Sequence, residues 1–241
     1  MKRVLVLRAR EDARRTAQKL AGMGFASVLS PVIEIVATGV KSPAEDFDAV
    51  IVTSAKALQH SDQSESLRCS PLFTVGARTA ALAEGRGWRV AGVAPESSAL
   101  LSLILKRSPS RARLLYLAGR QRRETLETAL REAGREVHAL ETYDAREATA
   151  LTRDAVEALA GGEVSAALHY SPRSAEVFAR LALRDNLTAA ARAFAHFAIS
   201  AETAAALRPL GARRIHIAES PDEDALLKQL AALDWLEVSH N

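Results

Sequence analysis

The sequence has 241 residues, a formal net charge of +3 from 32 basic and 29 acidic side chains, and 48% hydrophobic residues. This length predicts two domains of about 120 residues, each large enough to bury a core. Charges of both signs are spread along the chain, which argues against the basic stripe of a nucleic-acid-binding protein and favours an anionic small ligand. The single cysteine, Cys69, excludes an intrachain disulfide and a thiolate metal site.

Apolar runs alternate with amphipathic segments from the N-terminus onward. The first half predicts strands at 3–8, 26–29, 49–53, 72–75 and 89–93, an extended segment at 31–37, helices at 11–23, 77–84 and 99–104, and a polar irregular segment at 59–70. The second half predicts strands at 113–117, 164–170, 194–199 and 213–218, an extended segment at 136–143, a polar segment at 144–149, and helices at 124–133, 154–160, 175–182, 202–207 and 222–233. This alternation predicts parallel sheets covered by helices on both faces.

The chain contains an internal repeat. A shift of 110 positions places Leu5, Leu7 and Arg10 on Leu115, Leu117 and Arg120, and a shift of 124 places Phe73 and Thr79 on Phe197 and Thr203. The turn at Ser54 recurs 117 positions later at Ser171. The chain thus consists of four repeat units in the order short, long, short, long. This order permits two contiguous lobes, 1–110 and 111–241. It also permits an interleaved assembly, in which the first short unit joins the last long unit and the middle of the chain forms the other lobe. Periodicity alone does not choose between them.

Ligands of open parallel sheets bind beyond the carboxyl ends of the strands. The turn residues there are therefore candidate binding residues: Arg8, Arg10, Ser54, Gly76, Thr79, Arg120, Ser171, Ser200 and Thr203. Hydroxyls and free N–H groups at helix starts favour an anion, although helix capping alone explains each hydroxyl equally well. No Gly-x-Ser-x-Gly elbow, metal-ligand spacing, phosphate loop or dinucleotide fingerprint is present.

An ordered set of motifs carries a family resemblance over nearly the whole chain. The motifs are RVLVLRAREDARRTAQKLAGMG, SPVIEI, DAVIVTSAKAL, LFTVGARTAALAEGRGWRV, LLYLAGRQRRETLETALREAGREVHALETYDA, HYSPRSAEVF and ISAETAAALRPLG. Together they resemble the uroporphyrinogen-III synthase family. The fold that this resemblance implies is α/β, with two flavodoxin-like parallel-sheet lobes joined by a two-stranded antiparallel linker. It selects the interleaved assembly, with 1–36 plus 147–241 as a discontinuous first lobe and 38–145 as the second.

The resemblance also implies an activity. The family closes the linear tetrapyrrole hydroxymethylbilane to uroporphyrinogen III, with inversion of the last pyrrole ring and loss of water, and needs no metal or organic cofactor. Tyr143 matches the linker tyrosine that the family suggests as proton donor to the departing hydroxyl. The nine candidate binding residues would then hold the acetate and propionate arms of the substrate.

Expectations about partners follow from the same resemblance and from the absence of any export signal or membrane-length apolar run. We expect a cytoplasmic monomer that binds neither nucleic acid nor membrane and that contacts the upstream hydroxymethylbilane synthase transiently. The main alternative is a two-lobed small-molecule binding protein of the periplasmic type, without catalysis; the missing export signal and disulfides argue against it. A non-catalytic regulator with this fold is a third reading, weakened by the absence of an appended helix-turn-helix segment or anchor.

Overall fold

The computed structural model of the chain describes residues 1–61, 65–233 and 235. It divides into two compact units: unit 1 comprises Met1–Glu34 and Arg146–Asn241, and unit 2 comprises Ile35–Ala145. Among the described residues, no helix is long and apolar enough to cross a bilayer.

The elements alternate through both units. The first half contains β1 (Arg3–Val6), α1 (Arg10–Gly22), β2 (Ala26–Leu29), β3 (Ile33–Ala37), β4 (Ala49–Val52), α2 (Ala55–Gln59), α3 (Glu65–Cys69), β5 (Leu72–Val75), α4 (Ala77–Glu84), β6 (Val90–Ala94) and α5 (Ser97–Arg107). The second half contains β7 (Arg113–Gly119), α6 (Thr125–Glu132), β8 (Glu136–Glu147), α7 (Arg153–Ala160), β9 (Val164–His169), α8 (Pro172–Arg184), α9 (Thr188–Arg192), β10 (Ala195–Ala198), α10 (Ala201–Ala205), β11 (Ile215–Ile217) and α11 (Glu223–Ala232). A 3-10 turn at Arg208–Leu210 precedes β11.

The two sheets have related strand orders. Unit 1 has the order β11-β10-β9-β1-β2, with every neighbouring pair parallel. The other sheet has the order β3-β8-β7-β4-β5-β6, and β8 through β6 are parallel. Strand β3 runs antiparallel to β8, because the Thr38 amide donates to the Thr142 carbonyl while the Ala148 amide donates to the Val32 carbonyl. The predicted α/β class, with two parallel sheets and an antiparallel strand pair, is confirmed.

The sequence repeat maps onto these sheets strand by strand. Leu5 of β1 corresponds to Leu115 of β7, and Phe73 of β5 corresponds to Phe197 of β10. With β7, β8, β4, β5 and β6 matched to β1, β2, β9, β10 and β11, both sheets follow one spatial order. In unit 1, β2 lies on one side of β1 and β9 on the other, with β10 and β11 beyond β9. In the second sheet, β8 lies on one side of β7 and β4 on the other, with β5 and β6 beyond β4. The strand order therefore reverses between β1 and β9 and between β7 and β4. Such a reversal is where sheets of this type bind their ligands.

Each sheet buries side chains on both faces, which explains its uninterrupted apolar strands. In β1, Leu5 packs with Phe178 of α8 in one cluster, whereas Val4 and Val6 pack with Leu226 of α11 in another. The second sheet repeats the plan. There Ile51, Leu114 and Tyr116 occupy one cluster and Val50, Val52 and Leu115 the other.

Two buried histidines stand at the core of unit 1. His196 Nε2 lies 2.8 Å from the Ala191 carbonyl oxygen, so that nitrogen carries the proton and donates. His196 Nδ1 therefore accepts from His169 Nε2 at 3.0 Å, and both rings are neutral. Burial lowers the pKa of His196 to about 4 and places that of His169 well below its ordinary value. The folded protein binds fewer protons than the unfolded chain here, so this contribution to stability is present above pH 6.5 and is lost as the pH falls toward 4.

Three segments differ from the sequence prediction. Strand β8 continues to Glu147, beyond the predicted end at 143, because its polar side chains are paired: Asp144 with Arg120, and Glu147 with Arg173 and Arg180. The segment at 59–70, predicted to be irregular, contains α3; residues 62–64 of that segment lie outside the described part. The Ala-rich helix α9 was not predicted, since its five residues are too short to show a periodic pattern.

Candidate functional site

The carboxyl edge of the unit 2 sheet brings together candidate residues from separate strands. Thr53 and Ser54 follow β4, Gly76 follows β5, and Arg120 follows β7. The strands are parallel, so these turns share one edge, and β4 and β7 flank the point where the chain reverses direction. Tyr143 lies in β8, one strand further along the same sheet.

The Tyr143 phenol lies beside the side chain of Ser54, which acts to lower its pKa. Its ring is partly buried and its centroid lies 6.3 Å from that of His60. Burial raises the pKa of the Tyr143 phenol above its ordinary value of 10, and Ser54 only partly opposes this. The phenol is therefore protonated at neutral pH and available as a proton donor. Ser54 also caps α2, accepting from the Lys56 amide at 3.3 Å.

Gly119 determines where the Tyr143 ring can lie. A β-carbon on Gly119 would stand 2.5 Å from Cζ of Tyr143 and 2.8 Å from its Oη. The two residues are partners across β7 and β8, next to a register shift between Ala118 and Gly119, and the Arg120 amide donates to the Tyr143 carbonyl at 2.9 Å. The ring lies across the Cα of Gly119, and only glycine leaves room for it there. The sequence prediction gave Gly119 no such role.

A second tyrosine at this edge was also missed. The Tyr116 hydroxyl of β7 is 2.8 Å from Oγ1 of Thr53. Burial raises the Tyr116 pKa, so this phenol also keeps its proton. Tyr116 is 5% exposed and forms part of the core. It stands among apolar residues of β7, so the sequence indicated a core residue and gave no sign of a role for its hydroxyl.

Arg120 is paired with carboxylates of β8. Its Nε donates to Glu141 at 3.1 Å, and its Nη1 lies 3.4 Å from Asp144, whose other oxygen accepts from Gln121. The hydrogen bond from Arg120, supported by Arg122, lowers the pKa of Glu141. About half of the Arg120 side chain remains exposed, so its guanidinium can also face an anion from solution.

Gly76 and Thr79 form the start of α4. Gly76 has φ of +78°, a conformation that side chains rarely adopt, and its carbonyl accepts from the Thr79 amide at 3.2 Å. Thr79 is the third residue of the helix and is 7% exposed. Within the described residues no hydrogen bond of the Thr79 hydroxyl is found. This differs from its repeat partner Thr203, whose hydroxyl lies 3.0 Å from Ser200 Oγ.

The carboxyl edge of the unit 1 sheet holds the other candidates. Arg8 follows β1 and Ser171 follows β9, which flank the reversal point of that sheet. Arg8 is ion-paired with Glu223 at 2.8 Å. Arg10 is exposed at the first position of α1, and no partner of its side chain is found in the described part of the chain.

Two predicted hydroxyls of unit 1, those of Ser171 and Ser200, serve as helix-cap groups. Ser171 accepts from the Ser174 amide at 3.2 Å, and Ser200 accepts from the Thr203 amide at 3.2 Å. Thr203 is fully buried. The two serines thus have the capping role that the sequence left open beside ligand binding.

The main groove of unit 1 lies away from the candidate residues, and the described residues offer no cluster of metal ligands. A groove of about 600 Å³ in unit 1 is lined by Lys2, Val164 and Phe194, at the amino ends of the strands and away from the candidate residues. Across the described ranges, no group of three His, Cys, Asp or Glu side chains could hold a metal ion; His240 lies outside those ranges.

Two doubly wound α/β units, each with cationic and hydroxyl groups at the carboxyl edge of its sheet, define a two-unit α/β protein. The fold is shared with solved structures. The uroporphyrinogen-III synthetase of Helicobacter pylori 26695 matches with a TM-score of 0.66 and 18% identity, over 96% of this chain and 99% of that one. A mutant uroporphyrinogen III synthase from the extremely thermophilic bacterium Thermus thermophilus matches with a TM-score of 0.54 and 20% identity, over 98% and 99%.

The family itself is shown by the sequence profile described as uroporphyrinogen-III synthase HemD, which matches residues 14–228. The chain belongs to the uroporphyrinogen-III synthase family, and is accordingly an enzyme of tetrapyrrole synthesis. A comparison with curated protein sequences gave no significant match.

Proposed function

We propose that this chain is a hydro-lyase that converts hydroxymethylbilane to uroporphyrinogen III. One molecule of water is lost, the linear chain closes, and the last pyrrole ring is inverted. Family membership supports the substrate class. The observation that supports the mechanism is the protonated, partly buried phenol of Tyr143, which lies across Gly119 and beside Ser54 at the carboxyl edge of the unit 2 sheet.

In the proposed first step, Tyr143 donates its proton to the departing hydroxyl of the substrate. The carbon–oxygen bond breaks with its electron pair going to oxygen, water leaves, and a protonated azafulvene cation remains opposite the tyrosinate; loss of the pyrrole N–H proton then gives the neutral azafulvene. The phenol of Tyr143 is protonated at neutral pH, which is the form that a proton donor needs, and its raised pKa makes it a weaker acid than a free tyrosine.

The second part of the proposal concerns the direction of ring closure. The last ring attacks the azafulvene through its substituted carbon and forms a spiro intermediate, which rearranges to the inverted product. Without an enzyme the chain closes to the uninverted type I isomer. Catalysis is therefore mainly selection of one geometry among those that a flexible chain samples, and binding energy from the side arms of the substrate supplies that selection.

The side arms are carboxylates, and the candidate residues offer suitable partners. We assign this role to the hydroxyls, cations and helix-start N–H groups at the two carboxyl edges: Ser54, Gly76, Thr79 and Arg120 in unit 2, and Arg8, Arg10, Ser171, Ser200 and Thr203 in unit 1. Guanidinium groups bind carboxylates through charge-assisted hydrogen bonds, and the first turn of a helix offers unpaired N–H donors.

The test is to mix the purified protein with freshly prepared hydroxymethylbilane, oxidise the products and separate the isomers. The matched control is the same mixture with heat-denatured protein, which gives type I. We expect type III to predominate with the native protein. Type I alone, at the rate of the control, would overturn the proposed function.

A further inference from the structure

The carboxylate of Glu223 is held by four donors in unit 1. Its Oε1 lies 2.6 Å from Thr16 Oγ1, 2.8 Å from Arg8 Nη1 and 3.0 Å from the Tyr170 hydroxyl, and its Oε2 lies 2.9 Å from Lys19 Nζ. We call Arg8, Thr16, Lys19 and Tyr170 the carboxylate cradle. Its members come from α1 and from the turns after β1 and β9, whereas Glu223 begins α11.

Helix capping does not account for this position of Glu223. The N-cap of α11 is Asp222, whose carboxylate already accepts from the Ala225 amide at 2.8 Å. The Glu223 side chain instead reaches away from its own helix into the cradle. The four cradle residues belong to α1 and to the turns after β1 and β9, and none of them belongs to α11.

The cradle is fitted to an ionised carboxylate. Burial alone would raise the pKa of Glu223, yet the hydrogen bonds from Thr16 and Lys19 and the charge of Arg8 together lower it. The guanidinium carbon of Arg8 lies 4.0 Å from the centre of the Tyr170 ring, which fixes the plane of the guanidinium. Thr16 is fully buried, and its hydroxyl also lies 3.1 Å from the Asp12 carbonyl. Two cations and two hydroxyls in fixed positions converge on one anionic group.

The location of the cradle connects it with ligand binding. Arg8 lies two residues after β1 and Tyr170 directly after β9, and these strands flank the reversal point of the unit 1 sheet. Glu223 is about one-fifth exposed and lies at the first position of its helix, so its side chain can rotate toward solvent.

We propose that Arg8, Thr16, Lys19 and Tyr170 form a subsite for one carboxylate arm of the substrate, and that Glu223 competes with the substrate for it. This inference rests on the proposed function. Glu223 then acts as an internal competitor that offsets one of the two positive charges of the cradle and weakens substrate binding by the free energy needed to displace it.

The test compares Glu223→Gln with Asp224→Asn. Glutamine keeps the size and one acceptor of Glu223 but removes the charge that holds it in the cradle. Asp224 is the matched control, because it also pairs with Lys19, at 2.8 Å, yet it is 88% exposed and has no contact with Arg8 in the described residues. We expect Glu223→Gln to lower KM for hydroxymethylbilane about three- to tenfold with kcat unchanged, and Asp224→Asn to leave both unchanged.

The Arg8→Gln variant supplies a second, independent test. It should raise KM on its own, and in the double variant Arg8→Gln/Glu223→Gln the gain from Glu223→Gln should disappear. An unchanged or higher KM in Glu223→Gln would overturn the inference and favour a purely structural ion pair. An Arg8→Gln variant that leaves KM unchanged would overturn it as well.

A binding assay without turnover separates this inference from the proposed function. Uroporphyrin III, a stable and fluorescent octacarboxylate, is titrated against each variant. The Kd of Glu223→Gln should fall by the same factor as KM, and that of Asp224→Asn should match the original protein. If the native protein forms only type I product while these shifts in Kd appear, the proposed function fails and the subsite stands. If type III is formed and the shifts are absent, the subsite fails and the function stands.

Discussion

Replacing Gly119 with alanine changes the position of Tyr143 without altering its chemistry. The added methyl group would stand 2.5 Å from Cζ of Tyr143, whereas carbon atoms in contact lie about 3.5–4.0 Å apart, so the ring must move by about 1 Å. The ring is rigid, so this movement displaces the proton that the mechanism uses. A misplacement of about 1 Å at a reacting group can cost up to about 100-fold in rate. We expect kcat to fall about 10- to 100-fold, with KM little changed.

The assay is the initial rate of type III formation as a function of hydroxymethylbilane concentration. Gly92→Ala is a matched control: it lies in β6 of the same sheet, and its added methyl group would stand 2.6 Å from the flexible end of Leu103. Cδ1 of the buried Phe73 also stands 3.0 Å from that methyl group, so the substitution should lower stability through overpacking and leave kcat unchanged. In a Tyr143→Phe background, Gly119→Ala should change kcat by less than about twofold, because both substitutions act through one phenol.

Two results would refute this reasoning. One is a kcat for Gly119→Ala equal to that of the original protein while Tyr143→Phe is impaired. The other is a loss of rate from Gly119→Ala that is equally large with and without the Tyr143 hydroxyl, which would mean that the methyl group acts on something else.

Three further predictions concern binding, capping and pH. Thr79→Ala should weaken substrate binding by about 1 kcal/mol, roughly a fivefold rise in KM measured at constant kcat, because one hydrogen bond is lost; an unchanged KM would leave only a structural role. Ser200→Ala should lower the free energy of unfolding by about 1 kcal/mol in urea titrations, since α10 loses its N-cap, and unchanged stability would contradict that role. Protonation of His196 should lower the free energy of unfolding by up to about 3 kcal/mol between pH 6.5 and pH 4. In His196→Gln the free energy of unfolding should depend less steeply on pH over this range. Equal pH dependence in the two proteins would contradict the neutral buried histidine pair.

Much of the fold was predictable because the strands and helices each have a characteristic local pattern of apolar and polar residues. Strands buried on both faces must be apolar throughout, as in β1 and β4, and the helices between them must be amphipathic. The serines at 54, 171 and 200 were correctly placed at helix starts, since a hydroxyl before an apolar helical pattern is a capping signal.

The contacts within the candidate site depend on register and on distant pairing, which local patterns do not encode. Tyr143 meets Ser54 and Gly119 only through the alignment of β7 with β8, including the shift after Ala118. Strands that are apolar on both faces offer no alternation from which to read such a register. The ion pair of Arg8 with Glu223 joins residues 215 positions apart, and both are ordinary surface residue types in the sequence.

The measurement that tests the account most directly is the ratio of type III to type I product at rising enzyme concentration, for the native protein and for Tyr143→Phe side by side. Spontaneous closure to type I has a rate constant that does not depend on the enzyme, so it is an internal reference for the rate of the enzymatic reaction. The account predicts that the native protein drives the ratio toward type III at low concentration, and that Tyr143→Phe, folded to the same degree, needs far more protein to reach the same ratio. Identical curves for the two proteins would contradict the role of Tyr143, and a ratio that stays at the spontaneous value for both would contradict the proposed reaction itself.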